Sequence, residues 1–201
     1  MRATFLRDER GITSVEIAVL APILFASVLA SFDAGLYVWR WSQAVQAARM
    51  GARLAAVSDP VSSELGLMTG TETGAAAGEP VGAYVRVCTP SNAQCTNGGT
   101  YNATAMNRIY YGPGSTTCGQ APSRDSAGMC DVLPLLKPQN VTVTYQSSGV
   151  DTAGIAGSLR PLITVKIANA GPRLVLFDKI LPATLPVVEV TMLAEDLRST
   201  A

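Results

Sequence analysis

The sequence has no histidine, only 6% aromatic and 15% charged residues, and its 15 basic side chains are balanced by 15 acidic ones. Without histidine the chain lacks the usual general base at neutral pH and the commonest imidazole ligand, which excludes Ser/His/Asp catalysis and His-rich zinc sites. Zero net charge with few clustered lysines argues against a nucleic-acid partner. What is plentiful is apolar: 48% of the 201 residues are hydrophobic, the reverse of the low hydrophobicity and high net charge of a disordered chain. The length fits one domain and an appendage.

The apolar residues are gathered towards one end. From Ile12 to Phe32 the run ITSVEIAVLAPILFASVLASF carries one charge, Glu16, and beyond Asp33 the run AGLYVW stays apolar to Trp39. A helix over 17–39 would measure about 34 Å at about 1.5 Å per residue, close to the hydrocarbon thickness of a bilayer. Tyr37, Trp39 and Trp41 then form an interfacial belt. On the other side, Arg2, Arg7, Arg10 and the amino terminus outweigh Asp8 and Glu9, so the positive-inside rule predicts a cytoplasmic N-terminus and an external chain after Arg40.

Cysteine usage agrees with that topology. Cys88, Cys95, Cys118 and Cys130 all fall in the external half, and an even count in an oxidising compartment predicts disulfides rather than catalytic thiols. Six residues separate the first pair and eleven the second, whereas structural zinc ligands usually lie two to four apart. Four cysteines allow three connectivities, and the local one, Cys88 with Cys95 and Cys118 with Cys130, is the expectation.

Three processing readings are open for the N-terminus. One is an uncut signal anchor, and another is a secretory signal cut after Val28-Leu29-Ala30, before Ser31. Glu16 argues against both, because an ionisable group deep in an apolar stretch costs about 2.5–3.5 kcal/mol on insertion scales unless something pairs with it. In the third, Arg10-Gly11-Ile12-Thr13-Ser14-Val15-Glu16 resembles a type IV prepilin processing site: a basic leader, a glycine, an apolar residue, and glutamate fifth after the cut. Cleavage after Gly11 leaves Ile12 first and removes three arginines, one aspartate and one glutamate, so that 12 basic and 13 acidic side chains remain. The resemblance implies that Glu16 answers the N-terminal amine of a neighbouring subunit, two buried charges compensating each other.

No helix breaker stands between the membrane exit and Ser58-Asp59-Pro60, which predicts one helix from Ile12 to Val57, about 69 Å long, with a kink at Pro22. Ala44, Ala48, Ala52 and Ala56 recur every four residues beside Ala47, Gly51 and Ala55, so a broad face has almost no side-chain bulk and lets another helix approach closely. Inside the membrane Ala26, Ala30 and Ala34 run beside Ser27, Ser31 and Gly35 in the small-xxx-small spacing of packed transmembrane helices.

Val15-Glu16-Ile17-Ala18-Val19-Leu20-Ala21-Pro22 and Ala47-Ala48-Arg49-Met50-Gly51-Ala52-Arg53-Leu54-Ala55-Ala56 resemble the TadE-like pseudopilin family. The proline six residues after the glutamate and the arginines Arg49 and Arg53 around Gly51 carry the resemblance, which covers the first 57 residues. It implies a minor pilin of the Tad, or tight adherence, machinery that assembles Flp pili, with an assembly role rather than catalysis and no cofactor. The implied partners are a dedicated prepilin peptidase, other minor pseudopilins, the major Flp pilin, the inner-membrane assembly platform and the lipid bilayer. The implied location is the bacterial inner membrane, single-pass with the C-terminal domain periplasmic, or the extracellular pilus itself. Arg49 and Arg53, four apart on one helix face, have two readings: solvation or contact with lipid phosphates, and pairing with acidic groups of the C-terminal strands or of an adjacent minor pilin.

The chain thus divides into a leader over 1–11, the helix over 12–57, a connection over 58–81 and a β-rich domain over 82–201. TGTETGAAAGEP, Thr69 to Pro80, predicts a flexible connection. Ala83-Tyr84-Val85-Arg86-Val87 predicts a strand leading into Cys88, and from there to Cys130 the sequence is loop-like, leaving two disulfides to hold what little core exists. Runs at 140–145, 162–167 and 187–193 alternate with period two; in the last, Val188, Val190 and Met192 oppose Glu189 and Thr191. One-sided strands suit an antiparallel sheet packed on the outer half of the helix, an α+β, pilin-like fold. Residues 171–186 are read as a surface helix or an insertion at the sheet edge. Asp125, Asp131 and Asp151 lack calcium-loop spacing, and the serines lack a histidine partner, so no catalytic or metal site is expected. Asn102-Ala103-Thr104 and Asn140-Val141-Thr142 match the glycosylation triplet, which is common by chance and which the resemblance, implying a bacterium, leaves idle.

Overall fold

The computed structural model describes residues 10–97, 99–119, 123, 126–157, 159–170, 185–195 and 197, with 10–14 as backbone. Most of the leader and most of the 171–186 segment lie outside the described residues. The fold is α+β, with a long N-terminal helix followed by a five-stranded antiparallel sheet. Contacts divide the chain into two units, one of Met1–Trp39 with Pro172–Ala183, the other of Arg40–Gly171 with Thr184–Ala201.

Helix α1 runs unbroken over Arg10–Ala56, 47 residues, about 70 Å at about 1.5 Å per residue. It continues through Pro22, whose missing N–H takes one bond out of the helical ladder. It ends where Ser58-Asp59-Pro60 removes the next donor, and Ser58 Oγ turns back to donate to the Leu54 carbonyl at 2.5 Å.

In the second unit the small face of α1 is covered. Ala44, Ala47, Ala48, Ala52 and Ala55 are all buried, as is Gly51. The chain's own domain occupies the outer rows, as expected of a domain packed on the outer half of the helix, and no other helix is needed to cover them. At Gly51 the approach is closest, since a Cβ there would overlap the sulfur of Met129, itself fully buried.

The sheet order is β2-β1-β3-β4-β5, with β1 at Val85–Thr89, β2 at Gln94–Cys95, β3 at Val141–Gln146, β4 at Leu162–Ile167 and β5 at Val188–Leu193. Alternation puts Val141, Val143 and Tyr145 of β3 and Ile163, Val165 and Ile167 of β4 on the buried side. Cross-strand register aligns Cys88, Val143 and Val165 in one row. The Tyr145 hydroxyl, completely buried, accepts from the Val61 N–H at 3.0 Å, tying the sheet to the chain five residues beyond α1. Strand β5 departs from its expected pattern. It closes the sheet order, and only Val188 is buried, with Met192 and Leu193 40% and 45% exposed, because an edge strand has a neighbour to cover it on one side only.

Both disulfides have the local pairing. Cys88–Cys95 joins directly opposed residues of the β1–β2 hairpin, and Cys118–Cys130 closes the loop that ends in α3, Met129–Val132. The Asp131 carboxylate accepts from the N–H groups of Gly119 and Gly128, drawing that loop onto the helix.

The loop-like reading of 88–130 is corrected by α2, Ala103–Tyr111, which buries Ala105, Met106, Ile109 and Tyr110. Its N-cap is Asn102, whose side chain accepts from the Ala105 N–H, so the residue of the apparent glycosylation triplet is a structural cap. The connection over 58–81 is also packed. It forms two 3-10 turns, Ser63–Gly66 and Thr71–Thr73, buries Val61, Leu65 and Met68, and exchanges backbone bonds with 153–154 through Thr69, Gly78 and Glu79. Gly70 and Gly74 have φ of +85° and +90°, so these glycines set left-handed turns rather than confer looseness.

Two substitutions test this packing. Gly51→Val is expected to destabilise the outer domain by about 1–3 kcal/mol through overpacking, read from its denaturation midpoint, with part of the loss recovered when Met129→Ala is added. Tyr145→Phe leaves the Val61 N–H without its acceptor and is expected to cost about 1–3 kcal/mol in the same measurement.

Candidate functional site

The first unit is read by itself. Val15–Ala56 is long and apolar enough to cross a membrane, with mean hydropathy 2.2 in its best window and none of that window buried in the chain. Leu20, Phe25 and Phe32 are 63%, 65% and 57% exposed. At roughly 25 cal/mol per Å² of apolar surface, so many exposed side chains on one helix need an apolar surrounding that the described residues do not supply. Two serines fit such a surrounding by bonding within the helix: Ser27 Oγ donates to the Leu24 carbonyl at 2.8 Å and Ser31 Oγ to the Ser27 carbonyl at 2.9 Å.

Glu16 is exposed near the start of this apolar surface, flanked by Val15 and Ile17, and makes no ion pair among the described residues. The Gly11–Ile12 bond lies in the first turn of α1, one turn before Glu16. Pro22 and the rows Ala26/Ala30/Ala34 and Ser27/Ser31/Gly35 follow on the same helix, and a Cβ at Gly35 would meet nothing within 4 Å. At the outer end Trp39 and Trp41 are 59% and 45% exposed, as an interfacial belt requires.

Asp33 is the residue that sequence reasoning passed over. Treated as a break between two apolar runs, it sits in mid-helix, completely buried and engaged with a partner. The signal was available, because an acidic residue within a membrane-length helix marks a functional position by default.

In the second unit Arg49 and Arg53 are exposed, on the side of α1 away from the covered alanines. Neither forms an ion pair among the described residues; the pair recorded there is Lys166 with Glu189 at 3.0 Å. The pairing of these arginines with this chain's own C-terminal strands is therefore not what the structure shows. The helix motif separates into two roles, with Gly51 facing inward onto Met129 and the flanking arginines facing out.

The outer domain offers little reactive chemistry. Burial, with the charge of Asp151 second, pushes the Tyr84 phenol up to about 12, and burial also raises Tyr101, Tyr110 and Tyr145, so these phenols stay neutral at physiological pH. Among the described residues no group of three or more cysteine, aspartate or glutamate side chains is arranged to hold a metal ion.

Comparison with known proteins falls on the same segment. Residues 11–53 match the family model of the TadE-like protein, from the glycine of the processing-like motif to the second arginine. Neither the curated proteins nor the solved structures contain a match to the chain. The family match, Glu16 and Pro22 in the exposed apolar helix, and Gly51 between outward arginines all lie in α1, and it is over that helix that the chain is similar to the TadE-like family.

Proposed function

We propose that the protein is a minor pseudopilin of the Tad system, taking part in assembly or initiation of Flp pili, with a structural rather than catalytic role. The observation that carries this reading is Glu16, an exposed carboxylate on an otherwise apolar helix surface, within the segment that matches the TadE-like family. A charge at that depth is retained only if a partner compensates it. Cleavage after Gly11 by a prepilin peptidase creates such a partner, the Ile12 amine of a neighbouring subunit at the same depth. Other minor pseudopilins, the major pilin and the inner-membrane assembly platform are then its neighbours.

In this reading the leader is cytoplasmic, the segment 17–39 lies in the inner membrane, and the disulfide-bonded domain is periplasmic, where Cys88–Cys95 and Cys118–Cys130 persist. The exposed small rows over 26–35 provide the close-packing surface for neighbouring helices.

N-terminal sequencing of protein taken from membranes is expected to begin at Ile12. Met1 in cells with active peptidase would overturn the proposal, and Ser31 would show a secreted protein instead. Glu16→Gln is expected to be processed normally yet to enter pili or the assembly complex at least tenfold less, measured by immunoblot of sheared pili and of the purified complex. Normal piliation with the variant as sole copy refutes the role given to Glu16.

A further inference from the structure

Charge is segregated along the chain around the end of α1. From Ala34 to Ser58 the charged residues are Arg40, Arg49 and Arg53, with no acid; from Asp59 to Val85 they are Asp59, Glu64, Glu72 and Glu79, with no base. The structure places both groups at the surface of one unit. Arg49 and Arg53 stand on the exposed ridge of α1, whose opposite face is covered, while Glu64 and Glu72 are exposed.

The acidic stretch is also sculpted. Three open hollows, of about 240 to 420 Å³, share lining residues: Leu67 lines two of them, and Met68, Glu72 and Arg86 line another overlapping two. Leu67 is 76% exposed, an apolar side chain sharing a hollow with Glu64, Glu72 and Arg86. Tyr84 lines one hollow, and its hydroxyl is buried without a hydrogen-bond partner.

Two other partners for the arginine ridge fit less well. The chain's own strands are excluded by the absence of such a pair among the described residues. Lipid phosphates are limited by length. Counting from Trp41 at the interface, Arg49 lies about 12 Å and Arg53 about 18 Å further along the helix, whereas the headgroup layer is about 5–8 Å deep on each side. Arg49 can bend back to that layer, but Arg53 stands beyond it.

We propose that the exposed Arg49–Arg53 ridge of one copy docks on the Leu67-centred surface that carries Glu64 and Glu72 on a second copy of this chain. The inference rests on the pseudopilin reading for its setting, parallel copies anchored in one membrane. The contact joins two different patches, so each copy keeps a free ridge on one side and a free acidic surface on the other, the arrangement from which rings and filaments grow. Several exposed charges of one sign meet several of the other, so the contact is steered electrostatically and weakens with salt.

The test uses two differently tagged full-length copies co-expressed in membranes, scored by co-purification and by N-terminal sequencing of the same samples. Arg49→Glu with Arg53→Glu, or Glu64→Arg with Glu72→Arg, is expected to reduce co-purification at least tenfold, and all four changes in one chain are expected to restore it. A protease footprint like that of the wild type shows that each variant is folded. Unchanged association in either double variant, no association of wild-type copies, or failure of the fourfold variant to recover overturns the contact. Loss of flotation with vesicles containing anionic lipid by the arginine variant, at unchanged co-purification, overturns it in favour of lipid. A wild-type N-terminus other than Ile12 defeats the pseudopilin reading while leaving the pairing of copies to be judged on co-purification alone.

Discussion

Because α1 runs without a break from Arg10 to Ala56, one helix has to satisfy two surroundings with much the same small residues. Over Val15 to Phe32 its apolar side chains are exposed, and over Ala44 to Ala56 its alanines are buried. Within the outer stretch each residue advances the face by a fixed rotation. The outer domain, by seating itself on the row of Ala44, Ala48 and Ala52, therefore fixes which face of that stretch stays outward. Arg49 and Arg53 are the residues left there.

The close fit at Gly51 depends on what lies opposite. Met129 is delivered by a four-residue helix whose next residue, Cys130, is pinned to Cys118, and whose Asp131 carboxylate holds the Gly119 and Gly128 N–H groups. Gly112 and Gly128 make the same demand where α2 meets this loop, because a Cβ at Gly112 would stand 2.8 Å from the Gly128 nitrogen. The glycines at 51, 112 and 128 are thus points of contact between segments, and the second disulfide secures the loop that carries two of the facing groups. In a domain with few aromatic residues, fit of this kind supplies what large core side chains usually provide.

Much of this could be read from residues alone. The limits of α1 follow from an unbroken apolar and alanine-rich run and the stop at Ser58-Asp59-Pro60, and β4 lies where alternation over 162–167 puts it. Features set by tertiary context were harder. Helix α2 is nine residues among turn signals, and its buried positions 105, 106, 109 and 110 form a helical stripe too short to outweigh them. The glycines of 58–81 predict looseness by composition, but at Gly70 and Gly74 their use is to make left-handed turns. Met192 has the alternation of a core residue and the exposure of an edge one, a difference fixed by strand order and not by its own strand. Asp33 stands between two apolar runs and so has the sequence signature of a segment end, although it lies buried in mid-helix.

The covered outer face also bears on how α1 meets its neighbours. With Ala44 to Ala56 occupied by the chain's own domain, another helix can come close only along the exposed rows below, where Ala26, Ala30 and Ala34 run beside Ser27, Ser31 and Gly35. In hydrocarbon such an approach is driven by packing rather than by the hydrophobic effect, so it depends on small residues staying small. Glu16 stands about two to three turns before these rows, where a neighbour brought close by them would present its own helix start. In the proposed assembly the apolar half and the outer half of α1 thus use the same kind of residue for different partners, a neighbouring helix for the first, whereas the second is seen against this chain's own loop at Met129.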